Sequence, residues 1–342
     1  MRELWIEKND AGQRLDKYLH KYLREATNGF LYKMLRKKNI KLNGTRAEGR
    51  EILQEGDVVT LWLAEETIEK FRGTGSVLRD TGKADPERNG ARQESIPSLS
   101  PDEILYEDED VLILTKPAGE LSQKARPEDV SINERMLAYL RDSGAWDPDG
   151  TFTPGICNRL DRNTSGILLA GKTLPGTQLL SELIRERKIQ KYYLTVVESD
   201  FYEKFFNKGL RESNSCDTMV NGDWIRFHAY LSKDEKTNRV TIYDEPGEGR
   251  AEIFTACRVI RVDRAETGTQ TELEIELITG KTHQIRAQLA GIGHPLVGDK
   301  KYGSVRRGPY KLQAYRVVFP EDDRLSPGLR GKEIMQEGKS DE

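Results

Sequence analysis

Apolar residues recur at helical spacing near the start of the chain and at strand spacing further on. In "RLDKYLHKYLREA", Leu15, Tyr18, Leu19, Tyr22 and Leu23 fall on one face of a helix, with basic residues around it. A second helix is predicted over "NGFLYKMLRKKN", with Phe30, Leu31, Met34 and Leu35 inward and Asn28 as its cap. "IKLNGTRA" and "DVVTLWL" then alternate as strands do, and Asn43-Gly44 is a hairpin turn signal. Between Glu65 and Ser100 the pattern lapses: few large apolar residues stand among Gly, Pro and charges of both signs, a composition that predicts a flexible linker.

The pattern resumes with "ILYEDEDVLILTKPAG", a strand pair ending in a Lys-Pro-Ala-Gly turn. Amphipathic helices follow at "SINERMLAYLRDSG" and "GTQLLSELIRERK", the second with Pro175 near its first turn. "KYYLTVV", "RVTIYDE", "EIFTACRVIRV" and "TELEIELIT" read as strands, and "GKEIMQEGKSDE" as a frayed tail. Helices and strands mix without a regular βαβ rhythm, so the predicted class is α+β, and no internal repeat is present. The expected organisation is a small N-terminal α/β module (1–64), a linker (65–100), a larger domain (101–325) and a tail (326–342).

A length of 342 residues agrees with about two domains. The three cysteines (Cys157, Cys216, Cys257) and four histidines lie apart, with neither C-x-x-C nor H-x-x-x-H spacing. A disulfide framework and a metal site are therefore not expected, and a reducing, cytoplasmic compartment is. "MRELWIEKND" lacks the apolar stretch of a signal peptide, and runs such as "VLILT" are too short to cross a bilayer, so no membrane partner is expected. The net charge of −3 conceals an asymmetry: from Arg14 to Arg46 ten Lys or Arg stand against two acids. Fields act over about a Debye length, ~8 Å at physiological salt, so a partner responds to this local excess and not to the average.

"NRLDRNTSGILLAGKT", Asn158 to Thr173, contains two competing motifs. Gly166 to Thr173 satisfies the phosphate-loop pattern G-x-x-x-x-G-K-[ST], while Asp161 sits between two arginines ahead of a Thr-Ser-Gly turn. A phosphate loop needs a pliant backbone whose N–H groups curl around the anion after a buried strand. Here the interior is Ile-Leu-Leu-Ala and nothing strand-like precedes it. The segment reads as a strand flanked by glycines, and no nucleotide cofactor is expected. Alone, Asp161 would read as a turn cap, Tyr193 as a core aromatic, and Arg286 as an ordinary strand or helix residue.

In order, "DEDVLILTKPAG", "NRLDRNTSGILLAGKT", "KYYLTVV" and "LITGKTHQIRAQLAGIGHPLVGDKKYG" resemble the motifs of the RluA-type pseudouridine synthases, from about Glu103 to Phe319. "RLDKYL", "LRKKNIKLNG" and "LQEGDVV" resemble the alpha-L RNA-binding domain of small-subunit ribosomal protein four, over about fifty residues. Two segments depart from the catalytic family's common pattern, Asn158 for histidine and Ser122-Gln123 for His-Pro; they leave open which uridine is the target.

The resemblance implies an α+β catalytic domain with a mixed, mainly antiparallel central sheet flanked by helices, beside the small RNA-binding domain. It implies isomerisation of uridine to pseudouridine in structured RNA, with large-subunit ribosomal RNA or a ribosome precursor as partner, by a monomer without cofactor or metal. Asp161 would be the catalytic aspartate, Arg286 its guanidinium partner, and Tyr193 the ring packed on the target base. Arg159 would fill the place the flipped base leaves, and Leu296 or Val297 would wall the uracil pocket. Arg14, Lys17, Lys33, Arg36, Lys37 and Lys41 would contact phosphates. His283, His294, Cys157 and Lys116 are read as structural. The alternative is a non-catalytic RNA-binding or ribosome-associated factor that keeps the fold.

Overall fold

The structure is a computed structural model that describes residues 1–73, 96–201, 203, 217–266 and 268–336. It divides into two compact units, one of residues 1–113, 123–158 and 169–182, the other of 114–122, 159–168 and 183–342.

The first unit opens with β1 (Arg2–Trp5), α1 (Leu15–Tyr22), α2 (Asn28–Arg36), β2 (Ile40–Leu42), β3 (Thr45–Arg46) and β4 (Val58–Leu61). The strands form a four-stranded sheet in the order β1-β4-β2-β3. Leu15, Tyr18, Leu19, Leu31, Met34 and Leu35 meet Ile40, Val59 and Leu61 in one core, the faces that the helical spacing predicts. Asn43 and Gly44 both have positive φ, 50° and 73°, as a two-residue hairpin of the I′ kind requires. The cap of α2 corrects the expectation: Thr27, not Asn28, accepts the backbone N–H of Phe30, at 3.3 Å.

Residues 65–72 correct the linker. They form α3 (Glu65–Arg72), with acids in its first turn, bases in its last, and Ile68 buried in the module's core. One buried residue, partly buried Phe71 and charges suited to the helix dipole suffice for two turns that a search for long apolar periods passes over. Residues 74–95 lie outside the described residues, as do Cys216 and the chain end from 337.

Next come β5 (Ile104–Glu107), β6 (Val111–Lys116), α4 (Ile132–Asp142), β7 (Gly155–Ile156), β8 (Ser165–Gly171) and α5 (Leu174–Arg185). The phosphate-loop match is strand β8, buried from Gly166 onward. Lys172 turns its Nζ to the Glu107 carboxylate, 2.6 Å, and the Asp108 carbonyl, 2.7 Å. Any Cβ at Gly171 would collide with Thr177, so this glycine allows close packing against the start of α5.

The second unit contains β9 (Gln190–Glu198), β10 (Asp217–Asn221), β11 (Trp224–Asp234), β12 (Arg239–Tyr243), β13 (Ala251–Ala265) and β14 (Gly268–Leu277). They are followed by α6 (Gln284–Gly291), β15 (Leu312–Val318) and β16 (Glu333–Met335). The sheet runs β10-β11-β13-β14-β9-β15-β8, with β12 added on β11 and β16 on β15. Its β15–β8 pair is parallel and the other pairs of this run are antiparallel, giving the mixed, mainly antiparallel sheet expected. β16 corrects the tail: Arg316, Val317 and Val318 pair with Met335, Ile334 and Glu333. Tyr193 on β9 lies opposite Ile275 on one side and Ala314 on the other, which places it in the middle of the sheet.

Candidate active site

The loop bearing Asp161 is pinned on both sides of the aspartate by the Lys-Pro-Ala-Gly turn and the residues after it. The Ser122 hydroxyl donates to the Leu160 carbonyl, 2.8 Å, and accepts the Leu160 N–H, 3.0 Å. On the other side Gly119 N–H donates to the Arg162 carbonyl, 2.8 Å, and the Arg162 guanidinium returns a bond to the Gly119 carbonyl, 3.0 Å. Buried Lys116 gathers the carbonyls of Pro117, Glu120 and Arg162 at 2.9–3.1 Å. Burial lowers its ammonium pKa to about 8 against the opposing pull of Glu120 and Asp161. Thr164 N–H closes the turn on the Asp161 carbonyl, 3.0 Å. Gly166, the second residue of β8, has φ 120°, and a side chain there would strike the backbone of Ala314. Ser122, one of the departures from the family pattern, is thus part of the support of this loop.

The opposing side comes from the N-terminal turn of α6. Gln284 Nε2 donates to the Phe254 carbonyl, 3.0 Å, and the Thr255 hydroxyl, 2.8 Å, while its Oε1 accepts from the Thr279 hydroxyl and Lys281 N–H. That anchor fixes α6, and two residues on, Arg286 is buried with its guanidinium forked onto Asp299: Nε to Oδ2 at 2.7 Å and Nη2 to Oδ1 at 3.0 Å. The remaining nitrogen, Nη1, donates to Asp161 Oδ2 at 3.1 Å. The guanidinium also lies 4.3 Å from the ring centre of Tyr310 and 5.1 Å from that of Tyr302. Burial works against its charge, but the bonds to Asp299 and the charges of Asp299 and Asp161 outweigh this and raise its pKa above the usual arginine value. Arg286 is a permanent cation held by one buried carboxylate and presented to a second.

Asp161 and Arg286 line a small pocket, partly open to solvent, together with Arg159, Leu160, Thr164, Tyr193, Leu277, Lys281, His283, Gln284, Ile285 and Leu312. The Tyr193 hydroxyl is pushed well above its ordinary pKa by burial and by Asp161, so it stays neutral. Asp161, Arg286, Tyr193 and Arg159 are therefore brought together as the sequence predicts. Leu296 and Val297 are not. Leu296 is fully buried in a bridge to Val197, and Val297 N–H is bonded to the Val196 carbonyl. The apolar lining is Leu160, Leu277, Ile285 and Leu312 instead.

Sequence reasoning missed Asp299, and read His283 as merely structural although it stands 3.7 Å from Asp161 Oδ2. His283 belongs to the same "HQIR" stretch as Arg286, and Asp299 to "VGDK"; proximity to a motif was the available signal. His294 fits its structural reading, bonding Ser199 at 2.6 Å beside the Phe201 ring. Burial raises the Cys157 thiol pKa, which makes a resting thiolate unfavourable. In the N-terminal module Lys17, Lys33, Arg36 and Lys37 are exposed; Arg14 is exposed but paired with Asp16, and Lys41 lies 5.8 Å over the Trp62 ring. Among the described residues no helix is long and apolar enough to cross a membrane.

The model of the RNA pseudouridylate synthase family matches residues 110–291, over half of the chain and including both Asp161 and Arg286, and the chain belongs to that family. It is an isomerase that converts uridine to pseudouridine in RNA. It is 29% identical over 310 residues to the ribosomal large subunit pseudouridine synthase C of Vibrio vulnificus, covering 90% of this chain and 82% of that protein. The corresponding enzyme C of Rickettsia bellii is 27% identical over 326 residues, 95% of this chain and 94% of the relative. The ribosomal large subunit pseudouridine synthase D of Xylella fastidiosa is 27% identical over 312 residues, 90% and 76% of the two chains.

Proposed function

We propose that the enzyme isomerises uridine in large-subunit ribosomal RNA with Asp161 as the catalytic carboxylate and no cofactor. The substrate assignment is supported by the names of its relatives, synthases C and D of the large ribosomal subunit. The carboxylate assignment is supported by one observation above the others. Oδ2 of Asp161 is held by Arg286, while Oδ1 accepts no hydrogen bond among the described residues and the side chain lines the cavity.

The chemistry fits this economy. Uridine and pseudouridine are isomers: the N1–C1′ bond breaks, the uracil turns, a C5–C1′ bond forms, C5 loses a proton and N1 gains one. No electrons enter or leave, so a redox cofactor has nothing to supply. A carboxylate acting on the ribose side is the usual instrument at glycosidic bonds. Tyr193 offers a ring face for the extruded uracil, and Arg159, exposed at the cavity, is suited to replace it in the RNA stack, where unstacking costs a few kcal/mol.

The N-terminal module acts in this reading as an RNA-binding domain of the alpha-L type. It holds structured RNA through phosphate contacts from Arg14, Lys17, Lys33, Arg36, Lys37 and Lys41. The enzyme works in the cytoplasm as a monomer. Mapping pseudouridines in total RNA from cells with and without the gene tests the assignment. Loss of one or more sites confined to large-subunit ribosomal RNA is expected; a missing site in transfer RNA alone would refute the substrate.

A further inference from the structure

The hydrogen bonds behind His283 favour one arrangement of its ring protons. Val240 N–H donates to the Tyr302 oxygen at 3.1 Å. The hydroxyl's own proton is left to point elsewhere, and its other neighbour is His283 Nδ1 at 2.8 Å. With Nδ1 accepting that proton, the neutral ring carries its own on Nε2. Nε2 is the nitrogen that faces Asp161, 3.7 Å from Oδ2. The ring is kept there by its backbone, since His283 is a non-glycine residue in the left-handed region, φ 52° and ψ 18°, at the cap of α6. It also meets the Tyr302 ring edge-on, centres 5.7 Å apart.

We propose that His283 is a positioning residue for the reaction: its Nε2–H and Arg286 together hold Oδ2 of Asp161, so that Oδ1 is the oxygen presented to the ribose. This rests on the reading of Asp161 as the catalytic carboxylate. A distance of 3.7 Å is long for a hydrogen bond, but such bonds commonly tighten when substrate closes the site. The groups facing the ring are Asp161, Asp299, Arg286, Lys301 and Tyr302. Burial, then Arg286 and Lys301, lower the imidazole pKa against the attraction of Asp161 and Asp299. A neutral donor, not a second cation, therefore stands beside the carboxylate.

The test uses the full-length enzyme and total RNA from cells lacking the gene, tritiated at uridine C5, with tritium release as the rate. His283→Ala is expected to lower kcat by roughly 10- to 100-fold, the scale for losing a group that orients another, with KM changed less than about twofold. His283→Gln, whose amide can place an N–H near the Nε2 position, is expected to recover most of that loss. Tyr302→Phe, which frees the tautomer, should fall between them.

Two results overturn the proposal. One is His283→Ala with kcat unchanged per folded molecule, which would make the residue purely structural. The other is His283→Gln as inactive as His283→Ala, with an ionisation lost from the pH profile, which would make the ring a proton carrier. An active Asp161→Asn in the same assay would instead refute the catalytic aspartate, so the two failures are distinguishable.

Discussion

Arg286 Nη1 stands 3.1 Å from Asp161 Oδ2 although 125 residues separate them in the chain. The pair is asymmetric. Arg286 is already forked onto Asp299, which is 2% exposed, whereas among the described residues Asp161 has no other cation as close. One carboxylate anchors the guanidinium, and the guanidinium anchors the other carboxylate.

Arg286→Met should therefore damage stability as well as rate. It strands Asp299 in the interior, and breaking a buried pair from one side costs about 3–5 kcal/mol. Arg286→Lys should rescue neither property fully, because an ammonium makes no fork and cannot serve both aspartates in this geometry. Urea denaturation beside single-turnover assays checks this. A Met variant of native stability would show that the Asp299 fork is not what holds the site.

Lys172 belongs to a strand end and not to a phosphate cradle. Lys172→Ala should leave pseudouridine formation largely intact while lowering stability by about 1–3 kcal/mol, since Glu107 and the Asp108 carbonyl lose their donor. Neither form should release phosphate from ATP or GTP. Phosphate release by the wild type that disappears in Lys172→Ala would restore the nucleotide reading.

Lys116 gives a stability signature in alkaline solution. Its pKa is about 8 in the folded protein and about 10.5 for an unperturbed lysine. Between those values the unfolded chain binds more protons, so this group's contribution to stability rises with pH there; below about pH 8 both states are charged and it is constant. Lys116→Met removes the rise. The wild-type urea midpoint should therefore rise relative to that of Lys116→Met from about pH 8 to about pH 10.5, while below about pH 8 the difference between the two forms stays constant. Parallel curves would mean that the ammonium is not depressed by burial.

The basic surface of the N-terminal module should act through counterion release. Lys33→Gln and Lys37→Gln should each weaken RNA binding and reduce the slope of log affinity against log salt by ~0.7–0.9. The rate at saturating RNA should hold. An unchanged slope would remove these lysines from the phosphate contacts.

Much of this architecture was legible because period and burial agree. α1, α2, α4 and α5 bury one stripe, whereas β14 alternates in residue type but buries Glu274 along with Leu273 and Ile275. α6 was not legible, since Gln284, Ile285, Arg286, Ala287, Gln288 and Leu289 are all buried and no polar face marks the helix. α3 buries Ile68 and, in part, Phe71, too few apolar positions to mark a helical period, and β16 is a short edge strand whose Glu333 and Met335 stay exposed. At the site, Asp161, Arg286, Tyr193 and Arg159 came from ordered motifs. Leu296 misled because an apolar residue beside a motif is equally suited to the sheet's own core. Asp299 and His283 are placed by polar bonds to Arg286 and Tyr302, 13 and 19 residues away in the chain, which no local pattern encodes.

The central claim is that the Asp161 carboxylate acts on the sugar of the target uridine, and replacing one of its oxygens by an amide tests it most directly. Asp161→Asn, assayed by tritium release and by direct RNA binding, is expected to form no pseudouridine while binding RNA with nearly wild-type affinity. Asparagine that supports isomerisation at a rate near the wild type's would contradict the account.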